Sequence, residues 1–203
     1  MSKIESILGK KAIRALGIAE SFVLQYPKSI LCGVVCRSDG IVDGVVVDTC
    51  TVGGDDATES IIRMFRRLGR NDIHFLMIDG CIISWYNIVD LKRIYEEVKL
   101  PIISITFEDI EGDVESAIRK LFPKEVAEKK LSMFRNLPNP LKIYVRDGYH
   151  IYVRVVGIQE SSRLIRSIVS RFIHEGKRPE PIRIAKLIAN SILRVVLESR
   201  LSR

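Results

Sequence analysis

Two short runs of apolar residues constrain the fold of this chain more than any other feature. The first run covers Ile73 to Ile78 and ends at Asp79-Gly80, and the second covers Ile102 to Phe107. Strands that are buried on both faces of a parallel sheet have this continuous apolar pattern. A helix predicted from Ile88 to Val98 lies between the two runs, so the sequence predicts a β–α–β unit.

Three strands are predicted before these runs, at Ala12 to Val23, Ser29 to Arg37 and Ile41 to Val47. Asp39-Gly40 separates the last two strands, and both central positions of a type I′ hairpin turn favour residues that tolerate positive φ. This hairpin places Cys32 opposite Val47 and Cys36 opposite Asp43. Because no two cysteines face each other, we expect no disulfide here and interpret all four cysteines of the chain as small buried residues.

The rest of the chain predicts mainly helices. One helix begins after Asp56, with Glu59 in the position of a capping-box partner, and ends at Gly69. The other predicted elements are helices at Asp113 to Leu121 and Lys124 to Leu137, a hairpin within residues 141–158 that turns at Asp147-Gly148, and helices at about 159–174 and 181–199. We therefore predict one α/β domain over residues 1–203, with three antiparallel strands, an αβαβα segment, an extra hairpin and C-terminal helices.

The net charge of +7 is concentrated near the end of the sequence. Residues 163–203 contain ten Lys and Arg against three Glu, whereas basic and acidic residues balance over residues 1–162. This local surplus predicts a surface for a polyanion such as nucleic acid, and a solvated helix face is the alternative interpretation. We expect Arg178 and Arg183, which lie beside Pro179 and Pro181, to contact phosphates.

Missing motifs argue against several classes of protein. The cysteines lack the spacing of a zinc or redox site, the three histidines are isolated, and Gly53-Gly54 is not followed by the Lys-Ser/Thr of a phosphate-binding loop. Lys10, Lys11 and Arg14 interrupt any N-terminal apolar stretch, and no run approaches the roughly 18 apolar residues of a membrane span. We expect a soluble, cytoplasmic protein that does not bind a membrane.

The predicted topology brings acidic residues from three elements together. A right-handed crossover makes the first strand a parallel neighbour of the strand that ends at Asp79, and ligands of such sheets bind near the carboxyl ends of the strands. We expect Glu20, Asp79 and at least one of Asp55 and Asp56 to face one cavity as catalytic residues. Clustered carboxylates repel one another, so Mg²⁺, with Mn²⁺ as an alternative, is the expected partner of Glu20, Asp56 and Asp79. Such ions activate water for phosphodiester hydrolysis.

Each of these acids also has a structural interpretation. Asp56 suits a helix cap, Asp55 suits a loop, and Asp79-Gly80 suits a turn after a buried strand. Glu20 is the hardest to explain structurally, because it shares a strand face with apolar residues near the end of a central strand.

Aromatic and polar residues follow Asp79 closely, at Ser84, Trp85, Tyr86 and Asn87. Side chains of these types at the mouth of a carboxylate site suit stacking on an extruded base and hydrogen bonding to it. We therefore predict nucleic-acid contacts for Ser84, Trp85 and Asn87. The alternative is that the aromatic rings pack beneath a loop, which is the commoner arrangement.

The same residues carry a resemblance to a known family. The segments concerned are Arg14 to Phe22, Thr51 to Thr58, Asp79 to Asp90 and Pro179 to Arg183. They resemble the signatures of an archaeal endonuclease-dU-like family, a distant relative of endonuclease V. The resemblance implies a ribonuclease-H-like fold and magnesium-dependent cutting of nucleic acid near a deaminated base, uracil ahead of hypoxanthine. By the same resemblance, Glu20 and Asp79 stand at two catalytic aspartates of endonuclease V, and Asp55 or Asp56 stands at its helix glutamate.

Three features of endonuclease V are replaced in this sequence. Its strand-splitting wedge corresponds to Thr51-Val52-Gly53-Gly54, its catalytic lysine to the segment Thr106-Phe107-Glu108, and its late histidine to Ile158. Gln159, Glu111 and Glu180 are the candidates for completing the metal shell.

Three functions are compatible with these observations. The first is a magnesium-dependent endonuclease that acts on DNA with a deaminated base. The second is a nucleic-acid-binding module of the same fold that does not hydrolyse its ligand. The third is an adaptor whose basic helices bind an acidic protein.

Overall fold

The structure, a computed structural model, describes residues 3–10, 12–108, 114–159 and 161–201. The strands are β1 (Arg14–Ser21), β2 (Lys28–Arg37), β3 (Val42–Thr51), β4 (Phe75–Asp79), β5 (Ile82–Ile83), β6 (Asn87–Ile88), β7 (Ile102–Thr106), β8 (Leu141–Tyr144) and β9 (His150–Val156). The helices are α1 (Lys3–Leu8), α2 (Ala57–Leu68), α3 (Leu91–Val98), α4 (Val114–Leu121), α5 (Lys124–Arg135), α6 (Ser162–Ser170) and α7 (Glu180–Leu201). A single 3₁₀ turn at Arg146–Gly148 joins β8 to β9.

Seven of the strands form one mixed sheet in the order β3-β2-β1-β4-β7-β9-β8. The first three strands are antiparallel, and β1, β4 and β7 run parallel to one another, with Ile18 opposite Ile78 and Ile78 opposite Ser104. The predicted central position of β1 and its parallel neighbour are therefore confirmed. The two-residue strands β5 and β6 form a separate ribbon that the sequence pattern does not predict. Because β6 includes Ile88, the helix predicted from Ile88 to Val98 is shorter and covers Leu91–Val98.

The β2–β3 hairpin differs in one detail from its predicted register. Cys32 lies opposite Val47 as expected, but a bulge between Val35 and Cys36 places Cys36 opposite Val42 instead of Asp43. In the turn only Gly40 has a positive φ, so the type I′ prediction is wrong. All four cysteines are buried and free, as predicted.

The two faces of the sheet pack against different helices. Leu16, Ile18, Leu76 and Ile78 belong to one core with residues of α2 and α3. The alternate positions of β4, such as Met77, pack with α6 and the start of α7, and Ala19 packs with the middle of α7. A residue's position in this alternation therefore decides which helices it meets.

Helix α7 lies directly on the middle of β1. A Cβ atom on Gly17 would come within 2.3 Å of the Pro181 backbone carbon, so only glycine allows this approach. Farther along α7, Ala185 and Ala189 keep the helix close to β1 and β2. Neither α7 nor any other helix within the described ranges has an apolar stretch long enough to cross a membrane.

We predict that Gly17→Ala lowers the free energy of unfolding by about 1–3 kcal/mol, because the added methyl overlaps backbone that is held by α7. Urea unfolding measures the change. Gly44→Ala is the matched control, since its Cβ would meet only side-chain atoms, at 3.2 Å or more, and we expect a smaller loss. Equal losses in the two variants would contradict this view of the α7 contact.

Candidate functional site

Glu20 and Asp79 lie at the carboxyl ends of neighbouring parallel strands. Both are largely removed from solvent, with side chains 12% and 14% exposed respectively. Because Ile18 pairs with Ile78, Glu20 lies one position farther along its strand than Asp79, and the two carboxylates are close enough for their charges to interact. The expectation that Glu20 and Asp79 face one cavity stays a prediction.

Glu20 is held by groups from three parts of the chain. The Ser29 hydroxyl donates a hydrogen bond to its carboxylate at 3.1 Å, and the backbone amide of Ser84 also donates to it. The Lys186 ammonium lies 3.9 Å from the carboxylate and donates to the Glu20 carbonyl at 2.5 Å. Burial nevertheless raises the pKa of Glu20, since Lys186 and the hydrogen bonds only partly offset it and the Asp79 charge opposes ionisation further.

Asp79 is covered by an arginine. Arg178 donates to both carboxylate oxygens at 3.3 Å, and its guanidinium lies 4.0 Å from the centre of the Phe107 ring. Lys177 donates to the Phe107 carbonyl at 3.0 Å, which fixes the segment beside the carboxylate. Arg178, predicted to contact phosphate, thus lies at the candidate site. Its guanidinium pairs with the Asp79 carboxylate, and its side chain is 40% exposed.

Asp56 and Asp55 are engaged elsewhere. The Asp56 carboxylate accepts hydrogen bonds from the amide and hydroxyl of Thr51 and from the side chain of Asn87, at 2.8–3.1 Å. Burial tends to raise the pKa of Asp56, but these bonds outweigh it and lower the pKa. Asp55 is exposed and pairs with Lys129. Within the part of the chain that the structure describes, no three His, Cys, Asp or Glu side chains converge closely enough to hold a metal.

Asn87 has the capping role that was predicted for Asp56. Its side-chain oxygen accepts from the amide of Ala57, the first residue of α2, and its nitrogen donates to the Thr51 carbonyl at 3.0 Å. Asp56 makes no side-chain cap, and Glu59 pairs with Arg93, so the capping-box prediction is wrong. Asn87 has no exposed surface and cannot contact nucleic acid in this conformation.

The loop before Asn87 is built from three successive left-handed residues. Ser84, Trp85 and Tyr86 have φ of 47°, 59° and 63°, a conformation that costs on the order of 1 kcal/mol or more per residue. The Ser84 side chain is buried against Cys50, with 3.2 Å between Oγ and Sγ, so it is not available to a base. Trp85 is half-buried, and its ring lies 5.2 Å from that of Phe122.

Lys130 holds this loop in place and was not predicted. Its side chain is buried, and its ammonium donates to the carbonyls of Gly54 at 2.7 Å and Tyr86 at 2.9 Å. Burial lowers the pKa of Lys130, which the nearby Asp55 only partly offsets. In sequence this lysine follows another in an amphipathic helix, so no local pattern marks it.

The remaining predicted phosphate-binding and metal-binding residues are not free beside the two carboxylates in the part of the chain that the structure describes. Arg183 pairs with Glu180, whose oxygens lie 2.7–3.0 Å away, so neither is free for a phosphate or metal in this conformation. Gln159 follows β9, whose last residue, Val156, pairs with the first residue of β7, at the end of the sheet opposite Asp79. Glu111 lies outside the described residues.

The order and direction of the strands in the sheet define a ribonuclease-H-like fold, as predicted. Residues 11–193 match the model of the Endonuclease dU family, and the chain belongs to that family. A UPF0215 protein of Pyrobaculum calidifontis is 41% identical over 178 residues, which cover 87% of this chain and 95% of the relative.

Two solved structures have the same fold. A protein of unknown function from Archaeoglobus fulgidus is similar with a TM-score of 0.72 and 28% identity, over 89% of this chain and 98% of that one. Endonuclease V of Ciona intestinalis, in complex with DNA that contains an inosine, has a TM-score of 0.59 and 14% identity, over 96% and 95% of the two chains.

We predict that Glu20→Gln is more stable than the parent at pH 7, with a difference that shrinks as the pH falls through the raised pKa of Glu20 and is smallest below the ordinary Glu value of 4.5. A carboxyl with a raised pKa favours folding while it is protonated, and this contribution is lost as the pH rises through the folded-state pKa. Thermal unfolding in the presence of a chelator, at pH 7 and pH 4, tests this. Asp55→Asn, at an exposed acid, is the control, and a pH-independent gain in Glu20→Gln would contradict the burial argument.

Proposed function

We propose that this protein is a metal-dependent endonuclease that cuts nucleic acid near a deaminated base, with uracil preferred to hypoxanthine. The observation that carries the proposal is the position of Glu20 and Asp79 at the carboxyl ends of two adjacent parallel strands. Both are largely buried, and each has a cation beside it. Family membership supports a nuclease, and the family's description supports the preference for uracil.

The two carboxylates suit a hard divalent cation such as Mg²⁺, or Mn²⁺ in its place. Their oxygens are the ligands that these ions prefer, and Glu20 is buried close enough to Asp79 for mutual repulsion that a cation would relieve. Glu20 and Asp79 would hold the ion, which when bound polarises a phosphoryl oxygen and acidifies a water molecule. Asp56 could join them only by giving up its hydrogen bonds to Thr51 and Asn87.

The basic residues at this site would position the phosphodiester group. Arg178 is 40% exposed and contacts Asp79 at 3.3 Å, a longer distance than a strong charge-assisted hydrogen bond has. A phosphate oxygen is therefore a competitive partner for its guanidinium, while the Phe107 ring keeps the side chain in place. Lys186, anchored on the Glu20 carbonyl, supplies a second positive charge at the same strand ends.

A nucleic-acid-binding module without catalysis is the second candidate. It is favoured by Asp56, whose carboxylate is held by hydrogen bonds to Thr51 and Asn87 and is therefore not free to complete a three-carboxylate site in this conformation. Such a protein would use Arg178 to bind phosphate and would leave the strand intact.

We predict that the purified protein cuts labelled DNA with a single uracil when Mg²⁺ is present, cuts hypoxanthine DNA more slowly, and leaves normal DNA intact. Asp79→Asn and Glu20→Gln should reduce cutting to the background rate, because each removes a ligand charge. Separation of the products on denaturing gels measures the rates.

Glu97→Gln is the matched control for these variants, because Glu97 is an exposed acid of α3 that pairs with Arg66. It should cut at the parent's rate. Binding of the same DNA without cutting, in every metal condition, would instead favour the non-catalytic module.

We also predict that Mg²⁺ or Mn²⁺ raises the melting temperature and that Asp79→Asn abolishes the rise. An ion that binds only the folded state adds about 2.7 kcal/mol of stability at roughly 100 times its Kd. Differential scanning calorimetry measures the shift, with Asp147→Asn, at an exposed turn, as the control. An undiminished shift in Asp79→Asn would show that the ions bind elsewhere.

A further inference from the structure

The β8–β9 hairpin carries a row of aromatic and basic side chains on one face. Strand alternation and the ladder register, in which Lys142 pairs with Tyr152 and Tyr144 with His150, bring the members of this row together. We call the row the hairpin strip, and its members are Lys142, Tyr144, His150, Tyr152 and Arg154.

The strip is open to solvent at Lys142, Tyr144 and His150 and half-buried at Tyr152 and Arg154, whereas the opposite face of the hairpin is packed. Ile143, Ile151 and Val153 are buried in the core with α6. On the strip, Tyr144 is 58% exposed and His150 is also exposed. Neighbouring aromatic side chains left in solvent indicate a binding surface more than a stability device.

The rings and charges are spaced for a strand of nucleic acid. The His150 ring centre lies 6.2 Å from that of Tyr144 and 5.8 Å from that of Tyr152, and the Lys142 ammonium lies 5.8 Å from the Tyr152 ring centre. Residues 141–156 contain three basic side chains and one acid, Asp147, which lies in the turn. Aromatic rings interleaved with positive charges are the arrangement that binds single strands without base specificity.

The hairpin projects from the end of the sheet where Asp79 lies. Tyr152 pairs with Thr106, the last residue of β7, so His150 extends beyond the carboxyl end of that strand. A small, mainly apolar cavity lined by Tyr152, Arg154 and Gly80 lies between the strip and the turn after Asp79. The strip therefore lies beside the turn that follows Asp79, at the same end of the sheet as the candidate site.

We propose that the hairpin strip binds a single-stranded segment of nucleic acid and directs it toward Asp79. The inference rests on the proposed function and adds the strand state of its substrate. Bases of a single strand stack on Tyr144 and His150, and their phosphates lie beside Lys142 and Arg154. In a duplex the base faces are occupied by neighbouring bases, so the rings of the strip distinguish the two states.

Fluorescence anisotropy with labelled oligo(dT) of 12 nucleotides, and with a hairpin duplex of normal sequence, tests the proposal. A chelator in the buffer prevents cutting, so only binding is measured. We expect the parent to bind oligo(dT) more tightly than the duplex. The double variant Tyr144→Ala/His150→Ala should lose about tenfold or more in affinity for oligo(dT), while duplex binding changes little.

Two further variants make the result specific to stacking. Tyr144→Phe/His150→Phe keeps the rings and should retain the parent's affinity for oligo(dT). Tyr149→Ala is the matched control, because this exposed tyrosine lies next to β9 and, by alternation, on the other face. Lys142→Glu, at an exposed position, tests the same surface by charge reversal and should weaken oligo(dT) binding even if the double alanine variant does not fold.

Parental affinity for oligo(dT) in the folded double alanine variant, or in Lys142→Glu, would overturn the proposal, as would tighter parental binding to the duplex. Absence of any nucleic-acid binding by the parent would overturn both this proposal and the proposed function. Loss of oligo(dT) binding in the variants, together with no cutting of uracil DNA by the parent, would support the strip and contradict only the nuclease.

Discussion

The contact of α7 with the middle of β1 determines the arrangement of the candidate site. Because Gly17 has no side chain, Pro181 rests on the backbone of the central strand. Arg178, in the bend that precedes α7, reaches Asp79, and Lys186, which follows Pro181 within α7, reaches the Glu20 carbonyl. Both cations at the strand ends are therefore positioned by one close approach of helix to sheet.

This arrangement gives the basic C-terminal segment a more specific role than its net charge indicates. Arg178, Lys186 and Arg183 have short-range partners in Asp79, Glu20 and Glu180. Their charges compensate largely buried acids. A buried charge destabilises the fold less when it is paired than when its partner is missing. Three of the basic residues in this segment therefore pair with acidic side chains at or near the site, and the remaining basic residues contribute to the outer surface.

The sequence was sufficient for the order of the main strands but not for the geometry of the carboxylates. Apolar runs and the Asp39-Gly40 turn identify the β-strands, and crossover handedness places β1 beside β4. The partners that hold Glu20 and Asp79, such as Arg178 and Lys186, are far away in the sequence, and no local pattern marks them. The cap of α2 was missed for a related reason, because Asn87 is 30 positions away from Ala57 and acts through tertiary contact.

The Ser84–Tyr86 loop and α5 are joined through one buried ammonium group. Lys130 donates to the carbonyls of Gly54 and Tyr86, and both bonds would be lost if α5 moved away. Three successive left-handed residues are energetically unfavourable and keep that conformation only when surrounding contacts hold it. The loop and the helix therefore form one cooperative unit of opening, and local fluctuations of α5 reach the backbone amide that Ser84 directs at Glu20.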